Sequence, residues 1–150
     1  MNDFVHRPAF AIYALACVIL ALNLFVLGGM TGAGRGKSKV FVNPEDTKDG
    51  KGAPAEHERV ARLLRAHRNA LENFVPFAII GLLYVLVGAS ARGAYILFGV
   101  YTVARVLHSI MYLGGKQPWR TIMFAVGALA TLGMMIQVTR AAIALMQMSS

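Results

Sequence analysis

The sequence predicts an all-α, integral membrane four-helix bundle, and three observations carry that prediction. The chain divides into four helical stretches of spanning length, at about residues 8–30, 55–88, 93–113 and 118–147. Its cations gather at the ends of the apolar runs, as they do in loops beside a membrane. A mean hydropathy of +0.56 with 57% hydrophobic residues is too apolar for a soluble domain of 150 residues.

A net charge of +8 raises nucleic acid as a partner. The cations do not lie along one basic face with interleaved aromatics, so that class is set aside. Cys17 is the single cysteine, which leaves no disulfide framework and no thiolate metal site, and it reads as a small apolar packing residue. No His pair stands at i and i+4 as a helical metal site needs, and no Ser–His or Cys–His dyad is evident.

The first stretch, residues 8–30, holds no charged residue and starts on Pro8, which suits a first helical turn. It is long for the apolar region of a signal peptide, and a basic stop-transfer stretch follows it. Asn23 is its strongly polar side chain, an amide expected to bond to a neighbouring helix. Residues 31–54 break the periodicity with Gly32, Gly34, Gly36, Pro44, Gly50, Gly52 and Pro54, and read as a polar loop. The glycines lack the strand context and full spacing of a phosphate cradle, and mark a helix end. Within the loop, Phe41-Val42-Asn43-Pro44-Glu45-Asp46 is a turn signal bearing two acids.

The second helix begins charged and runs into an apolar segment, with Pro76 expected to bend it. Arg65, Asn69 and Glu72 fall on one face, with Arg62 a turn before and Arg68 beside them. A carboxylate carried into an apolar helix needs a partner, so this face reads as half of a binding site. On the third helix Tyr101, Arg105, His108 and Tyr112 share a face, and an arginine with a histidine inside a membrane helix points to function before packing. The turn at residues 114–118 leads to the fourth helix, where Trp119 suits the interface. Arg120 and Thr121 stand in its first turn, where the helix dipole opposes a cation.

The charge of the first loop and the adjoining start of the second helix places that loop on the cytoplasmic side, and four spans then put the third loop beside it and both termini on the other side. The three charged faces therefore converge toward the cytoplasmic side. Arginines with one carboxylate, an amide and phenols suit a small zwitterion bearing carboxylates and an ammonium. If that ligand carries a thiol, a nearby cation generates the nucleophilic thiolate, and the protein needs no nucleophile of its own.

Several ordered blocks now resemble one family. They are Glu58-Arg59-Val60, Arg65-Ala66-His67-Arg68-Asn69-Ala70-Leu71-Glu72-Asn73, Pro76-Phe77, Gly81-Leu82-Leu83-Tyr84, Arg105-Val106-Leu107-His108, Tyr112-Leu113-Gly114 and Pro118-Trp119-Arg120. Together they resemble the MAPEG family, membrane-associated proteins of eicosanoid and glutathione metabolism, over nearly the whole chain. The segment from Phe41 to Asp46 extends the resemblance toward its branch of microsomal prostaglandin E synthases and microsomal glutathione transferases.

The resemblance implies a homotrimer that binds glutathione between protomers near the cytoplasmic face. Carried over by motif, Arg68, Asn69, Glu72, His108, Tyr112, Arg120 and Thr121 would line the glutathione site, with Arg35 reaching in from a neighbour. Arg65 and Arg105 would support them, Arg120 would stabilise the thiolate, and Asp46 matches a loop acid that assists catalysis. The chain departs from the prostaglandin synthase pattern at Thr121, where that branch has serine, and at Phe124, where it has tyrosine; its third loop is one residue shorter. The implied activity is a membrane-bound glutathione S-transferase of detoxification, with peroxidase activity within its reach, acting on lipophilic electrophiles dissolved among membrane lipids. The alternatives are a prostaglandin-E-synthase-like isomerase, a non-catalytic lipid-binding protein, and a proton- or ion-conducting bundle using Glu72, Arg105 and His108.

Overall fold

The computed structural model describes residues 7–48 and 50–148, and its regular structure is helical. Helix α1 (Pro8–Ser38) opens with Pro8 in its first turn, where a missing N–H costs nothing. It continues through residues 31–38, which the glycine pattern had placed in the loop. Three glycines weaken a helix by roughly 1 kcal/mol each relative to alanine, but tertiary contacts outweigh that here. Gly34 packs so closely on α2 (Glu58–Leu86) that a Cβ would stand 3.2 Å from Val60 Cγ2, and Arg35 forms an ion pair with Glu56. The helix stops where Lys39 turns left-handed at φ 56° and returns its N–H to the Arg35 carbonyl.

A 3-10 turn, Pro44–Asp46, stands in the loop. His57 caps α2 by accepting from the Arg59 N–H, and α2 continues as one helix through Pro76. Ser90 caps α3 (Ala91–Leu113) through the Gly93 N–H at 3.1 Å, and α4 (Trp119–Met148) follows a turn with a cis Gln117–Pro118 peptide.

The helices run alternately up and down. Helices α2 and α3 form the middle: α1 packs on both, α4 packs on both, and α1 and α4 lie on opposite flanks without close backbone approach among the described residues. Phe77, Tyr84, Val85, Ala94, Phe98, Tyr101 and Met134 make the main core, and Leu27, Ala66 and Ala70 a smaller one. Gly81 is required by close approach, since a Cβ there would meet the Tyr13 ring at 3.0 Å and the Phe98 ring at 3.1 Å. Asn23 donates to Ser109 Oγ at 3.1 Å, the interhelical bond expected of an amide at that depth. Large apolar side chains such as Phe25, Ile79, Tyr95 and Leu129 point outward. All four helices are long and apolar enough to cross a bilayer, the architecture of a multi-pass integral membrane protein.

Candidate functional site

The antiparallel order brings the C-terminal ends of α1 and α3 and the N-terminal ends of α2 and α4 to one end of the bundle. The charged residues singled out from the sequence collect there in three groups.

The first group joins α2, α3 and α4. Arg105, only 3% exposed, donates from Nη2 to the Asn69 carbonyl at 3.2 Å and to Asn69 Oδ1 at 2.7 Å. Its Nη1 is buried with no hydrogen-bond partner. Its guanidinium carbon lies 5.8 Å from the Phe124 ring centre, and its stem lies against Gly127, where a Cβ would approach Arg105 Cδ to 3.1 Å. One turn on, buried His108 meets Tyr112 edge-on at 5.7 Å and Phe124 at 6.0 Å. Arg120 then covers the Tyr112 ring at 4.8 Å, a cation–π contact joining α3 to α4. Gln117 lies between Arg120 and Thr121. Arg120 has only donors, so the amide oxygen must face it; Gln117 then accepts from Nη2 at 2.7 Å and Nε at 3.3 Å, and donates to Thr121 Oγ1 at 3.1 Å.

The second group lies on the exposed face of α2. Glu72 does find a cation, but on its own helix: Arg68 Nε donates to Glu72 Oε1 at 2.8 Å, with side chains 82% and 56% exposed. Arg65 shares the helix face yet turns away from Glu72 to Glu58, at 3.0 Å. Periodicity reports a shared face and not which neighbour a long side chain selects. Neither pair contacts the α3–α4 group; Asn69, half-buried between them, faces Arg105.

The third group is at the end of α1. Arg35 Nε donates to Glu56 Oε1 at 2.9 Å, and Nη2 contacts the same oxygen; Glu56 Oε2 is buried without a partner. Asp46 is exposed in the 3-10 turn, where Asn43 Nδ2 donates to it at 3.2 Å. It lines a loop cavity with Lys39, Phe41 and Lys48, away from Arg120.

Thus Asn69, Arg105, His108, Tyr112, Arg120 and Thr121 form one continuous chain of contacts, and Arg35, Asp46, Arg65, Arg68 and Glu72 stand outside it in a single copy. Gln117, Glu56 and Gly127 were not singled out from the sequence. Gln117 sits three residues before Arg120, a readable spacing, whereas the contacts of Glu56 and Gly127 are made only by tertiary folding. Among the described residues, no three His, Cys, Asp or Glu side chains converge as for a metal ion.

The chain matches the model of a family described as the MAPEG family over residues 13–140. It is 43% identical over 137 residues to microsomal glutathione S-transferase 1 of Rattus norvegicus, covering 87% of this chain and 88% of that protein. Against microsomal glutathione S-transferase 1 of Homo sapiens it is 41% identical over 141 residues, covering 89% and 88%. Against prostaglandin E synthase of Homo sapiens it is 33% identical over 138 residues, covering 89% and 90%.

Proposed function

Since the chain belongs to the MAPEG family, we propose that it is a membrane-bound glutathione S-transferase that presents glutathione as its thiolate to lipophilic electrophiles. The observation that carries this reading at the site is Arg120. It rests on the Tyr112 ring and the Gln117 amide, and no carboxylate of the described residues lies within ion-pair distance of it. Its positive charge is left for an incoming anion. A thiol beside it loses its proton to water at neutral pH, because the cation favours the charged form. The sulfur then attacks an electrophilic carbon, a C–S bond forms, and the leaving group departs with the bonding electrons.

Arg105 and His108 extend the polar lining behind Phe124, and Arg68 with Glu72 offers a cation and a carboxylate to the ligand's carboxylate and ammonium. Thr121 stands beside Arg120 as a second donor, and Arg65 acts at a distance through Glu58. In our reading the complete site is built from two copies of a homotrimer. Supporting this, α1 and α4 lie on opposite flanks, so Arg35 meets an Arg120 site only when it belongs to a neighbour. The Arg68–Glu72 pair also sits on an α2 face shared with exposed Leu71, Val75 and Ile79, a mixed surface better covered by protein than by hydrocarbon. Asp46 serves the same neighbouring site from the loop, and the site faces the cytoplasm by the loop charges.

The ultraviolet difference spectrum of the detergent-purified protein on adding glutathione tests the proposal. Thiolate absorbance should appear in the parent and vanish in Arg120→Ala, with glutathione still bound. Identity of 33% to prostaglandin E synthase favours one second reading, a glutathione-dependent isomerase. Turnover of an endoperoxide without thiol conjugation would select it, and binding of neither ligand would return the fold to a lipid-binding role.

A further inference from the structure

Five of the arginines at this end of the bundle are held in two different ways. Arg35, Arg65 and Arg68 each meet a carboxylate, Glu56, Glu58 and Glu72 in turn. Arg105 and Arg120 meet amides, Asn69 and Gln117. A carboxylate orients a guanidinium and cancels its charge; an amide oxygen accepts the same N–H groups and leaves the charge in place. The two amide-held cations are the ones near His108, and Arg105 also lies against Phe124.

From this arrangement we infer that Gln117 is a positioning residue for thiol activation, orienting Arg120 without neutralising it. The inference rests on the role proposed above for Arg120. Gln117 lies just ahead of α4, in the turn where the Arg120 N–H returns to the Lys116 carbonyl at 3.0 Å. Its oxygen takes donors from Nε and Nη2 of Arg120, and its nitrogen ties the same side chain to Thr121. Tyr112 closes one face of the guanidinium. The N–H groups of Nη1 remain to grip an anion, in an orientation fixed from two sides. Around Arg120 the titratable and charged groups are Arg105, His108 and Tyr112 of α3, Lys116 in the turn and Arg62 of α2, whose Nη1 lies close to Gly115, and none of these is a carboxylate. The amide-for-carboxylate choice at residue 117 therefore sets how much of the Arg120 charge a bound thiol feels.

The test is the pH titration of thiolate absorbance with bound glutathione in the parent, Gln117→Ala and Gln117→Glu, alongside glutathione affinity and thermal midpoint. Gln117→Glu should weaken the ionisation constant of the bound thiol about tenfold, moving its titration to higher pH, with affinity changed less. Gln117→Ala should weaken that constant by a smaller factor, since Arg120 keeps its charge and loses its orientation. A loss of thermal stability without a shift in the titration would assign Gln117 to the turn alone and overturn the inference. So would a parent-like titration in Gln117→Ala, whatever Gln117→Glu does. A parent with no thiolate at all refutes the role of Arg120 itself, a different failure from either of these.

Discussion

Tyr101 of α3 donates its hydroxyl to the main-chain carbonyl of Asn73 at 2.6 Å, and its ring stacks on Phe77 of the same α2 segment at 3.9 Å and 5°. One turn further along α3, Arg105 repeats the relationship with the carbonyl of Asn69. The middle pair of helices is thus joined by α3 side chains donating into the α2 main chain, and that joint sets the height at which Arg105 sits. Tyr101→Phe should cost about 1 kcal/mol, one hydrogen bond, while Phe77→Ala should cost about 3–5 kcal/mol through the cavity it leaves. Denaturation in detergent measures both.

Asn69 and Arg105 should behave as a coupled pair. Replacing Asn69 with Leu strips a buried guanidinium of its side-chain acceptor, leaving the main-chain carbonyl alone, and should destabilise by about 2–3 kcal/mol, whereas adding Arg105→Met should recover much of that. A double-mutant cycle reads the coupling directly. Additive losses would mean that the two side chains do not depend on one another.

Two glycines offer a matched contrast. At Gly81 a Cβ meets aromatic rings of the core, and at Gly127 it meets the stem of Arg105. Gly81→Ala should lower stability by about 1–3 kcal/mol through overpacking and leave glutathione affinity alone. Gly127→Val should push Arg105 aside and weaken glutathione binding about tenfold, as misplacement of a positioning group does. Calorimetric titration of both variants separates the two effects.

Glu56 holds Arg35 within its own chain, and a ligand carboxylate drawn to Arg35 must compete with it. Glu56→Gln should therefore lower KM for glutathione about fivefold, the equivalent of about 1 kcal/mol, with kcat unchanged. A raised KM would show instead that Glu56 presents Arg35 to the ligand.

Much of the fold was legible because apolar length and loop composition are local properties. The third and fourth helices begin and end within about two residues of expectation, and Asn23 bonds across helices as its depth demanded. The first helix ran past its expected end because Val60, Leu63 and Glu56 support the glycine-rich turns from residues more than twenty positions away. At the site, periodicity placed Arg105, His108 and Tyr112 correctly on one face of α3. On α2 it likewise put Arg65 and Glu72 on one face, but a shared face does not name the partner that each long side chain takes. Gln117 read as a turn residue because its work is done by an amide, which carries no charge to attract notice.

Helix α1 has 31 residues and so measures about 46 Å, well beyond the roughly 30 Å of bilayer hydrocarbon. Its last turns form a rigid post whose azimuth is set by everything before it. With Asn23 fixed on Ser109, one residue inserted between Asn23 and Arg35 would rotate the arginine by about 100° and carry it off Glu56. The unbroken helix therefore makes residue count, as much as residue identity, a determinant of where Arg35 points, and gives this stretch little tolerance for insertion or deletion.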